Sequence, residues 1–193
     1  MQHKCLQLSV EQEPRIVSGL QERILRKTGD TGLIMSCSGI GKPKPDVVWY
    51  KNGVALDPDA RALYTISVSA QQSYPATTTN VISTLRFTGA EREGTNAVMP
   101  DDAGEYVCQF ENGVGRAQSA VVLKVEHAPL VVHTHSKVAA DPGETANIPC
   151  RVKAFPGPTF EWEWKNVAAR SRSGLYEVRP ITGFFILDQL AKS

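Results

Sequence analysis

The chain has 193 residues, 41% hydrophobic and 21% charged, enough for one large domain or two of about 100 residues, each with its own core. Its 21 basic residues against 20 acidic leave a net charge of +1, which gives no field to recruit nucleic acid or an anionic membrane. No run of about 20 apolar residues is present to span a bilayer, and the densest late cluster is Phe184-Phe185-Ile186-Leu187.

Four cysteines, none in C-x-x-C spacing, do not fit a zinc or thioredoxin-type site. A widely spaced pair reads better as a structural disulfide, which implies an oxidising compartment. Residues Met1 to Leu8 nevertheless lack the apolar run of roughly 7–15 residues that a secretory signal requires, so export is not expected to be encoded in this stretch.

Leu8-x-Val10-Glu11-x-x-Pro14 recurs as Leu123-x-Val125-Glu126-x-x-Pro129, one domain length further on. Alternating apolar residues before a proline suit a last strand running into a linker, so each copy is expected to mark a boundary. Residues 1–14 are then the end strand of a preceding domain and its linker.

Between Arg15 and Val125 lies one candidate domain. Ile16–Ser18 and Gln21–Leu25 are expected as a first strand or its two halves, and Gly32–Ser38 as a strand with Leu33, Met35 and Cys37 on one face. After the Lys42-Pro43-Lys44-Pro45 corner, alternation puts Val47 and Trp49 inward and Val48 and Tyr50 outward. Asn52-Gly53 tolerates positive φ and predicts a hairpin. Leu63–Val68 and Val81–Phe87 read as strands, the second offering Ile82, Leu85 and Phe87 to the core, with Gln71–Thr79 as a loop between them. Glu91–Val98 reads as extra loop. In Asp101-Asp102-Ala103-Gly104-Glu105-Tyr106-Val107-Cys108, the tyrosine two residues before the cysteine shares its strand face, so the thiol goes to the core and the phenol can bond back to upstream backbone. Glu111–Gly115 is a turn, and Ala117–Val125 the returning strand.

A second repeat begins and then stops. The interval from Cys150 to Trp162 equals that from Cys37 to Trp49, and Phe160-Glu161-Trp162-Glu163-Trp164 alternates as a half-buried strand does. No Asp-x-Gly-x-Tyr-x-Cys follows. Residues 127–167 are therefore expected to form the first half of a second domain, and 168–193 an unrelated or disordered tail, read as a splice-variant or read-through end.

Cys37, Trp49, Asp102-x-Gly104-x-Tyr106-x-Cys108 and Cys108-x-Phe110-x-Asn112-x-x-Gly115 together resemble the immunoglobulin superfamily, and within it the I-set. The resemblance covers Arg15–Val125 fully and Leu130–Asn166 as a half domain. It implies an all-β, immunoglobulin-like β-sandwich, one complete domain at 15–126 plus a truncated second one, with a Cys37–Cys108 disulfide. The cysteine spacing is longer than is usual for an I-set, which leaves open a V-like strand arrangement or an insertion. Tandem domains joined by Val-Glu-His-Ala-Pro are similar to the ectodomains of multi-immunoglobulin cell adhesion receptors, nephrin-like or Echinoid-like.

Such a resemblance implies recognition without catalysis or cofactor, of protein partners that are homophilic or heterophilic cell-surface immunoglobulin-superfamily members, in an extracellular or cell-surface parent. A structural module of an intracellular filament protein is the alternative. In this fold the sheet holding the Trp strand often supplies the contact face, and alternation nominates Tyr50, Val48, Val107, Gln109 and Val122 as its outward residues. The plainer reading, preferred on sequence alone, is that they are ordinary strand residues or are covered by the enlarged loops.

Other candidates for chemistry have structural readings. His133 and His135 share a strand face but lack a third ligand at matching spacing, so no metal site is expected. Asp101-Asp102 is no acid–base pair, because many domains of this family pair the corner aspartate with a basic residue; Arg61 is the candidate. Arg170 and Arg172 are too thin a footprint for nucleic acid. Cys5 and Cys150 are expected unpaired, with pairing to each other left open.

Overall fold

The computed structural model describes residues 10–59, 63–73, 77–88, 96–134, 139, 141, 146–164, 167–168, 176–179 and 184–187. Contacts divide the chain into two compact units, Met1–Val125 and Glu126–Ser193.

In the first unit the strands run β1 (Gln12–Ser18), β2 (Arg23–Lys27), β3 (Ile34–Lys42), β4 (Asp46–Lys51), β5 (Val54–Ala55), β6 (Tyr64–Ser73), β7 (Thr78–Phe87), β8 (Gly104–Glu111) and β9 (Arg116–Thr134). One sheet has the order β1-β3-β7-β6; the other has β5-β4-β8-β9, with β2 also on β9. The pairs β1–β3, β3–β7, β6–β7, β4–β5, β4–β8 and β8–β9 are all antiparallel. The two halves of the first strand thus serve different sheets. Leu20, at the crossing, donates its N–H to Ser119 Oγ at 2.8 Å.

Period-2 alternation delivers the core. Leu33, just ahead of β3, and Met35 and Cys37 on it meet Trp49, Tyr106, Cys108, Phe110, Val121, Leu123 and Val125 of the second sheet, all buried. Trp49 stands opposite Cys108 on β4–β8, and Cys37 opposite Ser83 on β3–β7. Two links join these pairs across the sandwich: the Cys37–Cys108 disulfide, with Cα atoms 6.8 Å apart, and a 2.9 Å hydrogen bond from Trp49 Nε1 to Ser83 Oγ.

Four expectations change. On β7 the inward residues are Val81, Ser83, Leu85 and Phe87, whereas Ile82 is half-buried on the opposite face. Val81 and Ile82 are both apolar, so the phase is set by Leu85 and Phe87 and by the indole that takes Ser83. In the polar stretch Gln71–Thr79, expected as a loop, Gln71–Ser73 and Thr78–Thr79 are strand ends: β6 and β7 pair without interruption from Tyr64↔Phe87 to Ser73↔Thr78. Ladder hydrogen bonds do not depend on side-chain polarity, and threonine favours extended backbone. Val98 does lie in loop, yet it is no surplus: it is fully buried and clamped by two backbone hydrogen bonds, Val98 N–H to Asp30 O and Gly29 N–H to Val98 O. The expected linker at Pro129 is strand, since β9 runs unbroken to Thr134. Pro129 coincides with a register shift on that strand, where its missing N–H costs no ladder bond.

The Asn52-Gly53 hairpin has φ of 50° and 79° at its two central residues, and β1 begins at Gln12. The long cysteine spacing is taken up partly by the ten-residue strands β6 and β7.

In the second unit β10 (Ala146–Phe155) pairs with the His127–Thr134 part of β9. Short strands β11 (Glu163–Trp164) and β12 (Val167–Ala168) form a hairpin of their own. Within 168–193, β13 (Tyr176–Arg179) and β14 (Phe184–Leu187) pair with each other, and β14 pairs with β10.

Candidate binding face

The registers of β4, β8 and β9 set the nominated residues in rows on the outer side of one sheet. Tyr50 lies opposite Val107, which lies opposite Ala120, and Ala55 of β5 continues the row. The next row is Val48, Gln109 and Gln118; in the other direction Glu105 faces Val122. Val48 and Val122 are exposed, while Tyr50, Val107 and Gln109 are half-covered by their neighbours. Asp46, Glu111 and Arg116 close one end, and Glu105 and Lys124 stand near the other. Apolar residues thus occupy the middle of the face and charged ones its two ends. Beyond Val48 the surface dips into an open concavity lined by Asp46, Gln109, Glu111, Asn112 and Gly113.

Asn112 holds that end of the face. Its Nδ2 donates to Gln12 O at 2.9 Å and Pro43 O at 3.0 Å, while its Oδ1 accepts from Val114 N–H at 3.0 Å and Gly115 N–H at 3.2 Å. All four side-chain hydrogen-bonding positions are filled, tying the β8–β9 turn to β1 and the proline corner.

At the opposite end Tyr106 OH donates to Asp102 O at 2.7 Å, and Met99 N–H donates to Asp102 Oδ2 at 2.7 Å. Asp102 is only 4% exposed, and Arg61, its expected partner, lies outside the described residues. Lys51 Nζ donates to Asp101 O at 2.6 Å and sits 5.8 Å from the centre of the Tyr106 ring, which makes a T-shaped contact with Phe87. Gly104 is needed because a Cβ there would come within 2.6 Å of Asn52 Oδ1, which accepts the Glu105 N–H. Tyr106→Phe leaves the buried Asp102 carbonyl without its donor and is expected to cost about 1–3 kcal/mol in urea unfolding. An unchanged midpoint would show that the phenol contributes nothing.

Ser83 and Asn112 carry structural roles that neither periodicity nor turn composition assigns to them. Among the described residues no group of three or more His, Cys, Asp or Glu is placed to hold a metal ion. His135 and Cys5 lie outside the described residues, as does the side chain of His133; Cys150 is a half-buried free thiol. No described helix is long and apolar enough to cross a membrane.

A disulfide-pinned sandwich with a buried tryptophan and a tyrosine corner defines an immunoglobulin-type domain. The immunoglobulin I-set domain family matches residues 14–125, and the chain belongs to it. Over 129 residues the chain is 31% identical to the cell adhesion molecule Dscam2 of Drosophila melanogaster, covering 67% of this chain and 5% of that protein. Hemicentin-1 of Mus musculus is 26% identical over 185 residues, 96% of this chain and 3% of the relative. The chain thus spans a small fraction of the curated relatives it matches. Among solved structures, the titin immunoglobulin tandem A164-A165 shares the fold, with a TM-score of 0.56 at 18% identity over 94% of this chain and 84% of that one.

Proposed function

We propose that the chain is part of the ectodomain of a cell-surface adhesion receptor, in which residues 15–126 bind other immunoglobulin-superfamily proteins non-covalently through the outer face of β4, β8 and β9. The observation carrying this reading is the gathering of Val48, Tyr50, Val107 and Val122 into one patch with charged residues at its two ends. Tyrosine beside aliphatics supplies contact area at low entropy cost, the usual makeup of a hot spot. Likeness to Dscam2, itself a cell adhesion molecule, supports the same role. No step of bond chemistry belongs to it.

A module of an intracellular filament protein, the second reading, draws on the fold shared with the titin tandem. The Cys37–Cys108 bond favours the first, because a reducing cytosol does not maintain such bonds.

Beads coated with the chain test the face directly, against cells bearing immunoglobulin-superfamily ectodomains and against beads carrying the same chain. Tyr50→Ala is expected to weaken adhesion by about tenfold or more. Adhesion that survives the substitution unchanged removes this face from consideration.

A further inference from the structure

The first unit guards most of its sheet edges. On β1, Glu13, Pro14 and Arg15 accompany two register shifts, and β2 carries Arg23, Arg26 and Lys27 in five residues. Strand β5 is two residues long. Each of these devices, charge, proline, irregularity or brevity, discourages another strand from adding on.

Strand β6 has none of them. Its ten residues, Tyr-Thr-Ile-Ser-Val-Ser-Ala-Gln-Gln-Ser, include no charge and no proline, and the last seven, Ser67–Ser73, are exposed. Pairing to β7 is regular over all ten positions, so no bulge twists the edge away. Among the described residues β7 is the only strand paired with it. The result is a straight edge roughly 33 Å long, with the main-chain donors and acceptors on its far side available to another strand.

We propose that β6 is a self-association edge: two copies of the chain pair β6 to β6, antiparallel about a two-fold axis, and continue the four-stranded sheet across the interface. The occupant follows from the chemistry. An open ladder is matched by a β-strand, and an uncharged strand meets its own copy without like-charge repulsion, whereas a charged partner would find no counter-charge. A two-fold axis perpendicular to the sheet makes the contact isologous and closes it at a dimer. That axis keeps each sheet face on its own side, so odd residues meet odd residues. Centred on Val68 it sets Ser67 opposite Ser69 of the copy; centred on Ser69 it sets Ser69 opposite itself. Both arrangements bring Ser67 and Ser69, on the face turned away from the core, to the middle of the contact.

Sedimentation velocity of the full chain over a wide concentration range tests this. A reversible monomer–dimer equilibrium is expected, with slowed hydrogen exchange at Tyr64–Ser73 in the dimer. The double substitution Ser67→Lys and Ser69→Lys sets like charges against each other across the axis and is expected to weaken the dimer about tenfold or more. Because both sites are exposed, the thermal midpoint of the monomer should stay where it was, which separates loss of pairing from loss of fold. A chain that stays monomeric throughout overturns the proposal, as does self-association that the lysines leave unchanged or that does not slow exchange in β6. This edge belongs to the other sheet from the face tested with Tyr50→Ala, so failure of one reading leaves the other intact.

Discussion

Replacing Trp49 with alanine is expected to lower the free energy of unfolding by about 3–5 kcal/mol, measured by urea denaturation followed by circular dichroism. The indole is 1% exposed and faces Cys108 across the β4–β8 pair, so removing it opens a void beside the disulfide that rigid strands cannot close. It also strips Ser83 Oγ, fully buried on β7, of its donor. Trp49→Phe separates the two contributions: it fills much of the volume and loses the hydrogen bond, and should fall between alanine and wild type. Should Trp49→Ala cost less than about 1 kcal/mol, the indole is not what holds the two sheets in register.

Removing the disulfide is the second large perturbation. Cys37 and Cys108 are separated by 71 positions, and in the chain-entropy model freeing a loop of that length costs about 4 kcal/mol. The paired substitution Cys37→Ser and Cys108→Ser adds the desolvation of two hydroxyls at positions no more than 1% exposed, so the loss should meet or exceed that figure. Urea unfolding with and without reductant measures it: wild type should lose its upper midpoint on reduction, and the variant should be indifferent to reductant. A reduced wild-type protein with an unchanged midpoint would sink the assignment. Because Trp49 packs opposite one of the two cysteines, the effects of the Trp49 and cysteine substitutions are not expected to add.

How much of this was legible in the sequence depended on whether the information was local. Cys37, Trp49, Tyr106 and Cys108 sit on strands whose alternation has one phase, so the buried face follows from counting by two. The outer face was readable for the same reason: Val48, Tyr50, Val107, Gln109 and Val122 are the complements of the buried set. On β7 the count was ambiguous because Val81 and Ile82 occupy both parities, and the tie is broken by Ser83, whose partner is 34 positions away. Val98 follows a polar stretch and is fixed by Asp30 and Gly29, which no local pattern connects to it. The straight run of β6 was hidden by its composition, since glutamine and serine read as loop until a paired strand shows them extended.

The Cys37–Cys108 bond has a consequence for a chain held at both ends. Tension applied between Gln12 and Val125 can unravel only the residues outside the bonded loop, those before Cys37 and after Cys108. At roughly 3.4 Å per residue that slack is roughly 140 Å, against roughly 380 Å for the same stretch without the bond. Oxidised, the unit acts as a short-travel tether; reduced, it would pay out more than twice the length before coming taut.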